Sequence, residues 1–154
     1  MELKNQFTEV LAEFNRASGL HLELSPEGTT TLEVGEDILN LQYLPASASV
    51  LAWTTLGFLG EDVNAPLRTK FLLEKHDAML RSRGFVFSLD PEDRNRVLVH
   101  DVRKVTFFEN GDRLAAWLED LLELTRETRE ELSEAAPYVD DEPFDDEEEG
   151  KEVR

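Results

Sequence analysis

The residues able to do chemistry are few and far apart. His21, His76 and His100 are the only histidines, and none has a second histidine at metal-ligand spacing. The chain has no cysteine to complete a zinc site. Asp90-Pro91-Glu92-Asp93 is rich in carboxylates, but it lacks the alternating ligands and the internal glycine of a calcium loop, so it reads as a solvated turn. Gly57 and Gly60 bracket Phe58-Leu59 without a phosphate cradle or a following Lys-Ser/Thr pair. Ser18, Ser25, Ser47, Ser49, Ser82, Ser88 and Ser133 lie in no nucleophile-elbow context. Scattered carboxylates in a cleft are the one enzymatic reading left. The expectation is a protein that is not an enzyme, uses no cofactor or metal, and works through its surface.

The composition narrows that surface's partners. A net charge of -18 over 154 residues repels phosphate backbones and anionic lipid, so neither nucleic acid nor a membrane is expected as a partner. No apolar run reaches the roughly 18 residues that span a bilayer. The start MELKNQFTEV lacks the basic and apolar regions of a signal peptide, and the lack of cysteine agrees with a reducing compartment, so the expected location is the cytoplasm. The charge is uneven. Residues 137–154 hold nine acids against Lys151 and Arg154, a balance of -7 that leaves -11 for residues 1–136. A domain over 1–136 and a disordered acidic tail over 137–154 follow. The tail is either a solubilising terminus or, through Tyr138 and Phe144, a segment that shields an apolar surface.

The elements that must build the surface are legible in the hydrophobic periods. Leu3, Phe7, Val10, Leu11 and Phe14 recur at helical spacing up to Ser18-Gly19. Thr29–Val34 and Ile38–Leu44, joined by Gly35-Glu36-Asp37, form a hairpin. Val50–Leu59 is a strand apolar on both faces, hence central or covered on both sides. Asn64 is a cap for a second helix, with Pro66 in its first turn, running through Leu80. Phe85, Phe87 and Leu89 alternate before the turn Asp90–Asn95, and Val97-Leu98-Val99 is the returning strand. Asn110-Gly111-Asp112 starts a last helix with Leu114, Trp117, Leu118, Leu121, Leu124 and Thr125 on one stripe, while Glu119, Glu123, Arg126, Glu127 and Arg129 face water. The order is α-β-β-β-α-β-β-α, an α+β domain with an antiparallel curved sheet and helices mainly on one side.

This order, together with Phe71–Val102, resembles the class I type III secretion chaperones, the Tir-chaperone or CesT-like family. The most specific strings are the Leu-Leu-Glu helix at Leu72-Leu73-Glu74, Leu89-Asp90-Pro91 in the turn, and Trp117 with its leucines in the last helix. The resemblance spans about residues 3–135. It departs at His76, where the family often has asparagine, and in the longer acidic tail.

The resemblance implies a cytoplasmic homodimer that binds the N-terminal segment of a secreted effector in extended form, keeps it export-competent, and catalyses nothing. Effector binding is then expected at Phe7, Val10, Leu11 and Phe14 of the first helix and Leu39, Leu41 and Tyr43 of the sheet. Ile38 and Leu44 offer the opposite sheet face; only one face can pack on helices, and each of these residues is equally readable as core. On this reading Phe14→Asp or Leu41→Asp weakens effector binding without unfolding. The dimer interface is expected at Leu72, His76, Met79, Val97 and Val99, for which burial within one chain is the alternative. A YbjN-like regulatory domain on the same scaffold, without a secretion role, is the competing function.

Overall fold

The computed structural model of the chain describes residues 2–82 and 84–139. Helix α1 is Glu2–Ser18, strand β1 Thr29–Val34, β2 Asp37–Leu44 and β3 Ser49–Phe58. Helix α2 is Ala65–Ser82, β4 Val86–Asp90 and β5 Asp93–Lys104; a 3-10 turn at Val105–Phe107 leads into α3, Gly111–Ala135. The order α-β-β-β-α-β-β-α is the one the hydrophobic periods predict. The fold is α+β, with one antiparallel sheet in the order β1-β2-β3-β5-β4 and β3 at its centre.

Local chemistry explains the turns. Gly35 at φ 63° lets β1 and β2 reverse within two residues, in register from Thr29 opposite Gln42 to Val34 opposite Asp37. Asn110 caps α3 by accepting the Arg113 N–H at 3.0 Å. Strand β5 is much longer than Val97–Val99. Its polar ends stay extended because β3 pairs with it from Lys104 to Arg96 and β4 pairs along its other side, a tertiary constraint that overrides local preference.

The core lies on one side of the sheet. Leu39, Leu41 and Tyr43 of β2, Val50, Ala52 and Leu56 of β3, and Val97 and Val99 of β5 are buried there. Against them pack Phe7, Val10, Leu11 and Phe14 of α1 and Leu114, Trp117, Leu118, Leu121, Leu124 and Thr125 of α3. Phe108 links the two helices, 6.0 Å from Phe7 and 5.0 Å from Trp117 between ring centroids. The helices also touch directly. A Cβ at Gly111 would lie 2.6 Å from the Phe14 backbone nitrogen, so only glycine fits this crossing.

Three expectations change in detail. Arg126 and Arg129 do not simply face water: they fold onto the sheet, reaching Asp37 at 3.1 and 2.9 Å and the carbonyls of Val34, Thr55 and Leu56, because α3 crosses the start of β2. Asn64 precedes α2, but its side-chain amide donates to the Pro137 carbonyl at 2.8 Å. Residues 137–139, placed in the tail from composition, are hydrogen-bonded to the fold; the rest of that segment, 140–154, lies outside the described residues. No described helix is long and apolar enough to cross a membrane.

Candidate binding surface

Strand alternation decides which side chains are available to a partner. Helices occupy the face of Leu39, Leu41 and Tyr43, so Ile38, Asn40, Gln42 and Leu44 fall on the other. The same parity brings Leu51, Trp53 and Thr55 of β3 beside them, then Leu98, His100 and Val102 of β5, through the pairings Trp53–His100, Thr55–Leu98 and Leu51–Val102. These residues are half-buried or exposed, with Ile38 at 51% and Val102 at 47% exposure. Phe58, opposite Arg96 at the end of β3, is 45% exposed and extends the face. The result is an apolar strip across the middle strands, centred on Trp53 and rimmed by polar groups.

Two polar side chains fix the strip's edges. His100 Nε2 lies 3.0 Å from Ser88 Oγ across β4 and β5. Burial of the ring lowers the His100 pKa below the ordinary histidine value; Asp101 opposes that shift and His76 adds to it. On the β2 side the Asn40 amide donates to the Trp53 carbonyl at 3.4 Å. Strand β1 closes the sheet and pairs only with β2, leaving its outer edge unpaired within the described sheet.

A second apolar surface lies between α2 and β4, a groove of about 250 Å³. Leu72 and Val97 are its buried floor, His76 and Phe87 its wall, and Leu73 and Leu89, at 68% and 44% exposure, its rim. His76 is held there by accepting the Phe87 N–H on Nδ1 at 3.0 Å, which satisfies a backbone donor of the edge strand.

The residues singled out from sequence fall mostly beneath these surfaces. Phe7, Val10, Leu11, Phe14, Leu39, Leu41 and Tyr43 are brought together, but as core under the helices, so within one chain they offer no area to a partner. Leu72, Met79, Val97 and Val99 are likewise buried within the chain, and His76 alone of that set is half-exposed. The physical reason is shared: helices cover most of one sheet face, and the most apolar positions go to it. Sequence reading missed Trp53, Leu98 and Val102. The signal was present in the two-faced apolarity of Val50–Leu59, which marks a central strand whose second face also carries apolar side chains.

No family model matches the sequence, and no curated protein does either. Solved structures do. The chaperone–effector complex of HopA1 and SchA superposes with a TM-score of 0.68 at 18% identity, over 84% of this chain and 98% of that one. The ExsC–ExsE complex gives 0.71 at 20%, over 86% and 97%. The Yersinia pestis type III secretion chaperone SycH, in complex with a fragment of YscM2, gives 0.58 at 17%, over 79% and 98%. The fold is that of the type III secretion chaperones. The match takes in nearly the whole of each of those chains, so the shared architecture is the complete domain.

Proposed function

We propose that this protein is a type III secretion chaperone of the class I, Tir-chaperone kind, which binds the N-terminal segment of an effector in extended form and keeps it soluble for export. The single observation that carries this reading is the open apolar face centred on Trp53 in a domain of chaperone fold. An extended segment places alternate side chains on such a strip, while its backbone can add to the free edge of β1. The surface charge sets the client's chemistry: a chain of net charge -18 favours an apolar segment flanked by basic residues and repels acidic ones. No catalytic step, nucleotide or metal is needed, and the work is done in the cytoplasm by mass action on the unfolded client.

The working unit is a homodimer joined through the α2–β4 groove, where Leu73 and Leu89 supply exposed apolar area over a rigid floor of Leu72 and Val97. A two-fold axis there lets the same patch serve both partners. Co-expression with a secreted effector of the same secretion system is expected to give a soluble complex of two chaperone chains per effector, measured by light scattering. A monomer at micromolar concentration removes the dimer, and an effector that stays insoluble and unbound removes the chaperone reading.

A further inference from the structure

Helix α2 is tied to the rest of the fold by one attachment that cannot titrate and one that can. Near its start Arg68 is fully buried: Nε donates to the Leu59 carbonyl at 2.7 Å, one terminal nitrogen donates to the Ala136 carbonyl at 2.9 Å, and the other is ion-paired with Asp62. A guanidinium keeps its charge at any working pH, so this tie is permanent. About two turns further on, His76 makes the other. Its Nδ1 accepts the Phe87 N–H at 3.0 Å, and its ring lies 6.0 Å from the Phe87 ring.

An imidazole accepts at Nδ1 only while it is neutral and carries its proton on Nε2. The bonded N–H belongs to β4, which pairs with β5 alone, so it points out of the sheet and has His76 in place of a neighbouring strand. Protonation puts a hydrogen on Nδ1 against that N–H. Donor then meets donor, the ring must turn, and the edge of β4 loses its hold on α2. The new charge also falls in a groove whose lining holds no carboxylate among the described residues. Acids on the elements packed around it are committed elsewhere: Asp90 of β4 to Arg96, Asp101 of β5 to Arg103 and Trp117, and Glu131 of α3 to Lys75. Asp77 on α2 and Glu127 on α3 are likewise engaged. His100, on the far face of β5, opposes a second positive charge, since His76 is among the causes that lower its pKa.

We propose that His76 is a proton-released latch. Neutral, it fastens β4 to α2 and holds the groove in the shape that takes a second copy of the chain; protonated, it lets the strand go and the two copies separate. The dimer is therefore favoured above the pH at which the ring titrates and is lost below it. The effect on the dimer rests on the dimer reading above; the latch on β4 does not.

The first measurement needs no variant. On the full chain, between pH 7.5 and pH 5.5, on opposite sides of the ordinary imidazole value of about 6.5, NMR follows the His76 ring and the hydrogen-exchange protection of the Phe87 amide. The ring is expected as the Nε2–H tautomer at the upper pH, and Phe87 protection is expected to fall about tenfold in step with ring protonation. An Nδ1–H tautomer, a ring still neutral at the lower pH, or protection that holds while the ring titrates overturns the latch. His76→Asn places Oδ1 where Nδ1 stood, an acceptor that does not titrate, so its Phe87 protection should be the same at both ends of the range. The same pH dependence in His76→Asn and the parent overturns the proposal; His100, present in both, cannot produce a difference between them. Light scattering over a concentration series then reads the dimer. With one latch per copy, the parent's dissociation constant is expected to rise by between about tenfold and a hundredfold on acidification, and that of His76→Asn to stay within about threefold. A dimer constant equal at both pH values overturns its control by His76. If the Phe87 step is seen and the chain is monomeric throughout, the latch stands and the dimer reading falls.

Discussion

The indole N–H of Trp117 donates to Asp101 Oδ2 at 2.8 Å in the interior, and the same oxygen accepts the Arg103 Nε at 2.8 Å. Asp101 points to the helix side of β5, and its other oxygen accepts the N–H of Val102. This carboxylate is therefore a buried polar tie between α3 and β5. Trp117→Phe keeps most of the packing but removes a donor from a buried charge, and is expected to cost about 2 kcal/mol of stability. The urea midpoint should fall with the slope unchanged, and client affinity should not move.

Charge placed on the two faces of β2 should have opposite consequences. Leu41 has no exposed surface, so Leu41→Asp buries an unpaired carboxylate and is expected to cost more than about 4 kcal/mol, leaving little folded protein. The same holds for Phe14→Asp. Ile38→Asp, on the open face, is expected to leave circular dichroism unchanged while weakening effector binding about tenfold. An Ile38→Asp protein that binds as tightly as the parent would move the client elsewhere.

Much of this was legible in advance, for reasons visible in particular residues. The five strands and three helices follow from period and punctuation: Gly35 reverses the first hairpin, Asn110 caps α3, and Leu114 to Leu124 keep one stripe. Which sheet face stays open was not legible. Leu39, Leu41 and Tyr43 look no different in sequence from Ile38 and Leu44 as sheet residues, and only the position of α1 and α3 decides which set is covered. Arg68 was invisible for a related reason, since its partners Leu59, Asp62 and Ala136 converge only when the sheet end, α2 and the end of α3 meet.

Acid should loosen the contact between α3 and the first hairpin. Burial alone would raise the pKa of Asp37, but hydrogen bonds from Arg129 and Arg126 and their charges outweigh it, and the net shift is downward. A depressed carboxylate contributes stability that is present above its unfolded pKa of about 3.9 and is lost as pH falls through the lower folded value. Asp37→Asn is expected to cost about 1 kcal/mol at neutral pH, given that both arginines are partly exposed. The difference between the two proteins in unfolding free energy should shrink as the pH falls below the unfolded value and through the lower folded one.

His100 acts in a higher window. Its pKa is lowered chiefly by burial, so the unfolded chain binds its proton more readily. The stability at stake is present above the unfolded value of about 6.5 and is lost as pH drops below it toward the folded value. Thermal midpoints measured between pH 7.5 and pH 5.5, on opposite sides of about 6.5, should fall more steeply for the parent than for His100→Gln. Parallel curves would show that the ring titrates alike in both states.

Helix contact at Gly111 is intolerant of even one carbon. The Cβ of an alanine would meet Phe14 and Glu13 backbone atoms at 2.6 and 2.9 Å, and backbone cannot swing aside as a side chain can. Gly111→Ala is expected to cost about 1–3 kcal/mol by pushing α1 off α3, measured by chemical denaturation.

The separation of a covered and an open sheet face has an evolutionary consequence. Residues packed under the helices and residues on the open face alternate along the same strands and point to opposite sides of the sheet. Trp53, Leu98, Val102 and Ile38 can therefore be exchanged one at a time without disturbing Leu39, Leu41 or Val99 beneath them. The open side of such a sheet can change its chemistry through a series of folded intermediates, because the residues that vary are not the ones that hold the helices.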